Sequence, residues 1–198
     1  MMIWEDYLNS QWYDWRGSGA SEERLERPAW RSQFLTEHAL VDPGPPSPEE
    51  LQAMRTLRGS LRELTSRISD SVRVEEAPPL SDTDFACLNS ALVSSPYTKR
   101  LSFGNGALSL VEIPSESGWQ GIMAKIAASY ADSLAHGELE RFRICDNPDC
   151  RWIYYDTTRN RSKRYCDDKC CGNLMKVRRF RERAKTASTT SRRKKDEK

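Results

Sequence analysis

This 198-residue sequence is short of apolar residues. Ala, Val, Ile, Leu, Met, Phe, Trp, Tyr and Cys make up 37% of it, against roughly 45–50% in an average soluble domain, allowing for differences in counting. No apolar run reaches the roughly 18 residues of a membrane-spanning helix. The opening MMIWEDYLNS has no basic stretch followed by an apolar one, so no secretory signal is read and a cytoplasmic location is expected. There are only two histidines, His38 and His136, and both lie away from the cysteines. Gly104-Asn105-Gly106 is turn chemistry and not a phosphate loop, because no helix opening with Lys-Ser/Thr follows it. No nucleophile, base and orienting group stand in a recognisable pattern, so no enzymatic activity is expected. No internal repeat is present.

Charge is abundant but unevenly placed. The formal net charge is +2. Residues 141–198 hold 19 Lys and Arg against 8 Asp and Glu, a net +11; residues 1–140 hold 12 against 21, a net −9. The length allows one medium domain plus a small module. The split predicts a boundary near 138, with the basic part facing an anionic partner or docking on the acidic part.

The first part reads as mainly helical. Trp4 to Trp15 is aromatic at helical spacing until Gly17-Ser18-Gly19 breaks it. A second helix is predicted over 28–40, opened by Pro28. The clearest helix follows Ser47-Pro48, with Leu51, Met54, Leu57, Leu61, Leu64, Ile68 and Val72 stepping by three or four. Ser81 and Asp84 suggest a capping box for the next helix. Residues 98–103 and 107–113 alternate about the glycine turn and predict a β-hairpin. Trp119, Ile122, Ile126, Tyr130 and Leu134 predict a helix from about 117 to 135, ended by Gly137.

Five of six cysteines fall between 145 and 171. Cys145-x4-Cys150 and Cys166-x4-Cys171 are matched pairs about fifteen residues apart, the outline of a four-thiolate structural zinc site. A short loop aims two thiolates at one point, and a hairpin returns the second pair to it. Trp152–Tyr155 has strand propensity, with Arg161–Tyr165 as its expected partner. Cys170 is a fifth candidate for the fourth position; Cys171 is preferred because Gly172 and a possible N-cap, Asn173, follow it directly. A helix over 174–185 places Val177, Phe180 and Ala184 on one side, expected to pack on the hairpin. Lys176, Arg179 and Arg183 fall on the opposite side and Arg178 beside the stripe. With Arg159, Arg161, Lys163 and Arg164 near the hairpin tip, these eight are the candidate nucleic-acid contacts. The stretch from 186 to 198 reads as a disordered basic tail.

Cys-x4-Cys, Trp152, Arg159-Asn160-Arg161-Ser162, Cys166-x4-Cys171-Gly-Asn and Lys176-Val-Arg-Arg closely resemble the CGNR zinc finger over about 139–185. Asp6–Ser10, Asp14-Trp15-Arg16, the Leu51–Leu64 helix and the hairpin-helix resemble the helical domain that accompanies this finger in bacteria. The final letter of the motif, Arg, is Leu174 here, and Asp167, Asp168 and Cys170 lie between the last two thiols or beside them. The resemblance implies a stress-induced, DNA-binding transcription regulator. The expected fold is α+β, mainly α: a helical regulatory part over 1–138 with one β-hairpin, then a treble-clef-like finger of knuckle, hairpin and helix holding one Zn2+. Double-stranded DNA is the expected partner, with a small-molecule effector or protein partner at the helical part. The alternative is a zinc-stabilised interaction module without specific DNA binding. A dimer suits such a regulator, although no heptad seam is present.

Overall fold

A computed structural model describes residues 1–94, 97–104, 106–114 and 118–196. The fold is α+β and mainly α. In chain order its elements are α1 (Ile3–Leu8), β1 (Gln11–Tyr13), β2 (Ser21–Glu23), α2 (Pro28–Glu37), α3 (Pro48–Arg73), α4 (Ala86–Ser94), β3 (Tyr97–Gly104), β4 (Ala107–Pro114), α5 (Trp119–His136), β5 (Phe142–Ile144), β6 (Ile153–Tyr155) and α6 (Asn173–Asp196). The strands form three separate antiparallel pairs, β1-β2, β3-β4 and β5-β6. No helix among the described residues is long and apolar enough to cross a membrane.

The long helix α3 organises the core. Ser47 caps it: its hydroxyl accepts from Glu50 N at 3.2 Å, and Glu50 Oε2 accepts from Ser47 N at 2.7 Å. Pro48 sits in the first turn, where a missing N–H costs nothing. Met54, Leu57, Leu61, Leu64 and Ile68 are all buried, each contributing about 2 kcal/mol by leaving water. They meet Trp4, Tyr7 and Leu8 of α1 and Ile122, Ile126 and Tyr130 of α5 in one cluster. Tyr7 Oη donates to Met54 O at 2.5 Å, and Tyr130 Oη lies 2.9 Å from Thr65 Oγ1. Burial pushes both phenols above the ordinary tyrosine range.

The aromatic opening is not one helix. α1 stops at Leu8, and Trp12 pairs with Glu22 across a short ribbon. Asn9 ends the helix by turning its side chain back: Nδ2 donates to Glu5 O at 2.8 Å. β-prone Trp12 and Tyr13 then find a partner strand because Gly17 and Gly19, at φ +94° and +80°, reverse the chain. Below this ribbon lies an ion pair between buried Arg58 and half-buried Glu23. Arg58 of α3 grips Glu23 with two donors and also donates to Ser10 Oγ at 2.8 Å. Burial raises the Glu23 carboxyl pKa, but the bonds and charge of Arg58 outweigh that and hold it below its ordinary value.

The last third packs against the rest. Phe142 of β5 and Ile153 of β6 belong to the main core, and Trp4 stacks on Phe142 with ring centroids 5.3 Å apart. α1 also occupies the free edge of β6 as a third strand would. Asn9 Nδ2 donates to Ile153 O at 2.7 Å, Ile153 N donates to Asn9 Oδ1 at 2.9 Å, and Tyr155 N donates to Glu5 Oε1 at 2.6 Å. Arg62 Nη1 donates to Leu8 O at 2.7 Å and its Nη2 to Arg151 O at 3.0 Å, tying the same junction from α3. The two parts are joined by apolar packing, by side chains bonded to backbone across the junction, and by ion pairs such as Arg73–Asp146 and Arg161–Glu138.

Two expectations for this region are corrected. Residues 153–155 pair with 142–144, in the register Ile144↔Ile153 and Phe142↔Tyr155, and not with 161–165. The reason is the short Cys145–Cys150 loop, which joins two strands directly, with Arg151 at φ +53° completing the reversal. Residues 157–163 instead form a loop pinned by buried Asp156, whose carboxylate accepts from Thr158 N, Thr158 Oγ1 and Lys163 N. Second, α6 continues to Asp196 where disorder was expected; residues 197 and 198 lie outside the described residues. No Gly or Pro follows Gly172 to stop it, and Lys, Arg and Ala sustain helix. The expected turn residue Asn105 and the start of the 117–135 helix also lie outside the described residues.

Candidate metal centre

The β5-β6 hairpin brings Cys145 and Cys150 together across its loop. Cys145 N donates to Trp152 O at 2.9 Å and Cys150 N to Asn147 O at 3.0 Å, which closes the knuckle. Asp146 N donates to Arg164 O at 2.9 Å, drawing the 161–165 segment alongside and delivering Cys166. One turn later the chain enters a wide helical turn over Asp168–Gly172 that carries Cys171 into the same point. Asp167 caps this turn by accepting from Cys170 N at 2.6 Å. Asn173, the expected cap, is already helical, because the acidic Asp167 ahead of it serves the free N–H groups first.

The sulfurs of Cys145, Cys150, Cys166 and Cys171 all lie within 4.8 Å of one another. Cys150 Sγ is 3.6 Å from Cys166 Sγ, which is 3.9 Å from Cys171 Sγ. Four sulfurs about 2.3 Å from one zinc in a tetrahedron stand about 3.8 Å apart. These four residues fit the ion in number, type and spacing. Cys145, Cys150 and Cys171 are buried, whereas Cys170 is exposed on the outside of the turn. Two donors aim at the sulfurs: Cys166 N at Cys145 Sγ, 3.5 Å, and Asn147 Nδ2 at Cys171 Sγ, 3.4 Å. Such donors favour thiolate. Hydrogen bonds from Cys150 and Cys166 hold the Cys145 thiol far below its ordinary range, and sharing with Cys145 pushes those two up. A crowd of thiols in that condition ionises fully only around a cation. A zinc held by Cys145, Cys150, Cys166 and Cys171 would cross-link the knuckle to the start of α6.

Cys171 also sets the rotation of α6. Met175 and Arg178 follow it at four and seven residues, so they share its face toward the finger. Met175 packs beside Tyr154, Tyr165 and the cysteines, with Trp15 and Trp152 at the margin. Arg178 Nη1 donates to Asp149 Oδ2 at 2.6 Å and its Nη2 to Arg16 O at 2.8 Å. A side chain at Gly17 would collide with this tie, since its Cβ would lie 2.8 Å from Arg178 Nη2. This face is not the one expected: Val177 is 44% exposed, Phe180 74%, and Ala184 is exposed too. The metal ligand, absent from a hydrophobic-stripe argument, decides which side turns inward.

The eight basic candidates divide accordingly. Arg178 is spent on the scaffold. Arg161 pairs with Glu138 at 2.6 Å, and Arg164 pairs with Asp146 at 2.7 Å. Lys163 lies over the Tyr154 ring at 5.0 Å. Arg179 is exposed and donates to the carbonyl of Met175. Arg159, Lys176 and Arg183 are exposed and carry no ion pair among the described residues. Two arginines were missed in the sequence. Arg73 at the end of α3 and Arg143 of β5 line a cleft of about 450 Å³ with Arg161, Lys163, Arg164 and Tyr154. Their separation in sequence hid them, and only the docking of α3 on the finger brings them together. The tail cations Arg192, Arg193, Lys194 and Lys195 have side chains outside the described residues.

Fold and site define a mainly helical protein whose C-terminal module is a four-cysteine zinc finger. A model of the family named "Putative stress-induced transcription regulator", ABATE, matches residues 3–137, and the CGNR zinc finger model matches residues 141–184. The chain belongs to this ABATE family and carries its CGNR zinc finger, with one structural zinc. No curated protein matches the chain.

Proposed function

We infer that this protein is a cytoplasmic DNA-binding transcription regulator, a binding protein and not an enzyme. The observation that carries the reading is α6. It begins at a metal ligand, spans 24 residues, about 36 Å at 1.5 Å per residue, and its described packing on the finger ends near Arg178. Lys176, Arg179 and Arg183 are exposed along it. A helix bearing exposed basic residues suits a major groove about 12 Å wide, where Arg and Lys reach phosphates and guanine edges. The cleft at Arg73 carries Arg143 and Lys163, and also Asp146, which pairs with Arg73 at 3.0 Å and Arg164 at 2.7 Å; a phosphate there would compete with that carboxylate for the two arginines. The helical part would receive the signal; a groove of about 360 Å³ between α3, α4 and α5, lined by Leu57, Cys87, Ala91 and Met123 among others, would take a small apolar effector.

The second reading, an interaction module without DNA specificity, draws on Arg161, Arg164 and Arg178, which are already paired within the chain. Selection of bound sequences from random duplexes at physiological salt separates the two. The regulator reading expects an enriched sequence; a pool that stays random through successive rounds refutes it.

A further inference from the structure

β3 and β4 form an arm of two eight-residue strands in continuous register, from Tyr97↔Pro114 to Gly104↔Ala107. Leu101 stands opposite Leu110, and Phe103 opposite Leu108. Cross-strand partners share a face, as do residues two apart, so these four side chains make one patch. They are 64%, 61%, 73% and 67% exposed respectively. The opposite face carries Arg100 across from Val111 and Ser102 across from Ser109, with Thr98 and Ile113 at its base. The described residues of both faces are exposed or half-buried, so the arm stands clear of the core and its apolar patch is open to solvent. An isolated two-stranded hairpin of this kind is marginal in water and gains from a cover.

We propose that the cover is a second copy of this chain: two arms stack face to face about a two-fold axis, the Phe103–Leu108 pair of one against the Leu101–Leu110 pair of the other. The patch is self-complementary. Its two apolar cross-strand pairs lie side by side, and the next pair on that face is Lys99–Glu112, so a two-fold stack centred on the four apolar residues leaves the charged pair at the rim. The area is also right. The four side chains expose on the order of 500 Å² in each copy, so stacking removes about 1,000 Å² in total, the size at which a specific interface begins. That exposed area matches the largest apolar patch of a typical monomer, and here it sits on a single hairpin. The dimer would give the assembly two fingers related by the same axis. It does not depend on whether the fingers bind DNA.

Sedimentation equilibrium of the full-length, zinc-loaded chain across the micromolar range tests this. The wild type is expected at twice the monomer mass, with a micromolar dissociation constant. L101D/L110D should raise that constant at least about 100-fold, and F103S alone about 10-fold, with zinc content and helical circular dichroism unchanged. S102T/S109T, on the opposite face, should leave it as it is. Three outcomes overturn the proposal: a wild type that stays monomeric, an L101D/L110D variant that associates as the wild type does, or S102T/S109T disrupting as strongly as the apolar-face changes. Should L101D/L110D lose its fold, the comparison of F103S with S102T/S109T decides in its place.

Discussion

Replacing Asn9 by Ala tests how the helical part holds the finger. Asn9 is 2% exposed, and its amide satisfies both the N–H and the C=O of buried Ile153. These groups point away from β5, because Cys145–Trp152 and Arg141–Asp156 make the ladder bonds on the other side. Ala leaves both without a partner in a site from which Trp4 and Phe142 exclude water. One unsatisfied buried backbone group costs about 1–3 kcal/mol, so the pair should cost about 3 kcal/mol. For a chain of this length that is a fall in Tm of roughly 6–12 °C. Thermal and urea unfolding of the zinc-loaded variant would measure it. Asn9→Asp should do no better, since a carboxylate oxygen would then face Ile153 O. Chelator-driven zinc release should also quicken in Asn9→Ala, because β6 carries the knuckle. A loss below about 0.5 kcal/mol, or an unchanged release rate, would refute the role given to this side chain.

Two further outcomes follow from the site and the core. Cys170→Ser should retain one zinc per chain and a native melting curve, whereas Cys171→Ser should lose the metal and the anchoring of α6; metal analysis with far-UV circular dichroism distinguishes them. Glu23 is an acid whose folded-state pKa is lowered, so its stabilisation is full above the unfolded value near 4.5 and is lost as pH falls through the lower folded value. Glu23→Gln should therefore cost about 1–3 kcal/mol at neutral pH, by stranding buried Arg58, with the difference shrinking on acidification below about 4.5; unfolding curves across pH would show it, and a pH-independent difference would contradict it.

What the sequence made legible was local. Ser47-Pro48 and the 51–72 stripe carry their own cap and period, so α3 could be read with its boundaries. The paired cysteine spacings could be read because a metal imposes a fixed geometry on nearby residues. What escaped was set by distant partners. Trp12 and Tyr13 are strand only because Ser21–Glu23 lies beside them. The mate of 153–155 is 142–144, chosen by a tight loop over a longer one. Val177 and Phe180 look like a buried stripe until Cys171 fixes the helix rotation and turns Met175 and Arg178 inward. Glu5 gave no signal, and Asn9 entered only as part of the Asp6–Ser10 run without its role, since an edge-clasping side chain has no sequence pattern of its own.

If the protein binds duplex DNA as proposed, the exposed cations of α6 neutralise its phosphates. This is tested most directly by the salt dependence of duplex binding, measured by fluorescence anisotropy for the zinc-loaded wild type and K176A/R179A/R183A. Each phosphate contact contributes about 0.9 to the slope of log affinity against log salt. The slope is expected to fall in magnitude by about 2–3 in the triple variant, with zinc content and Tm unchanged. An identical slope and affinity in wild type and variant, or no duplex binding by the wild type, would contradict the proposal.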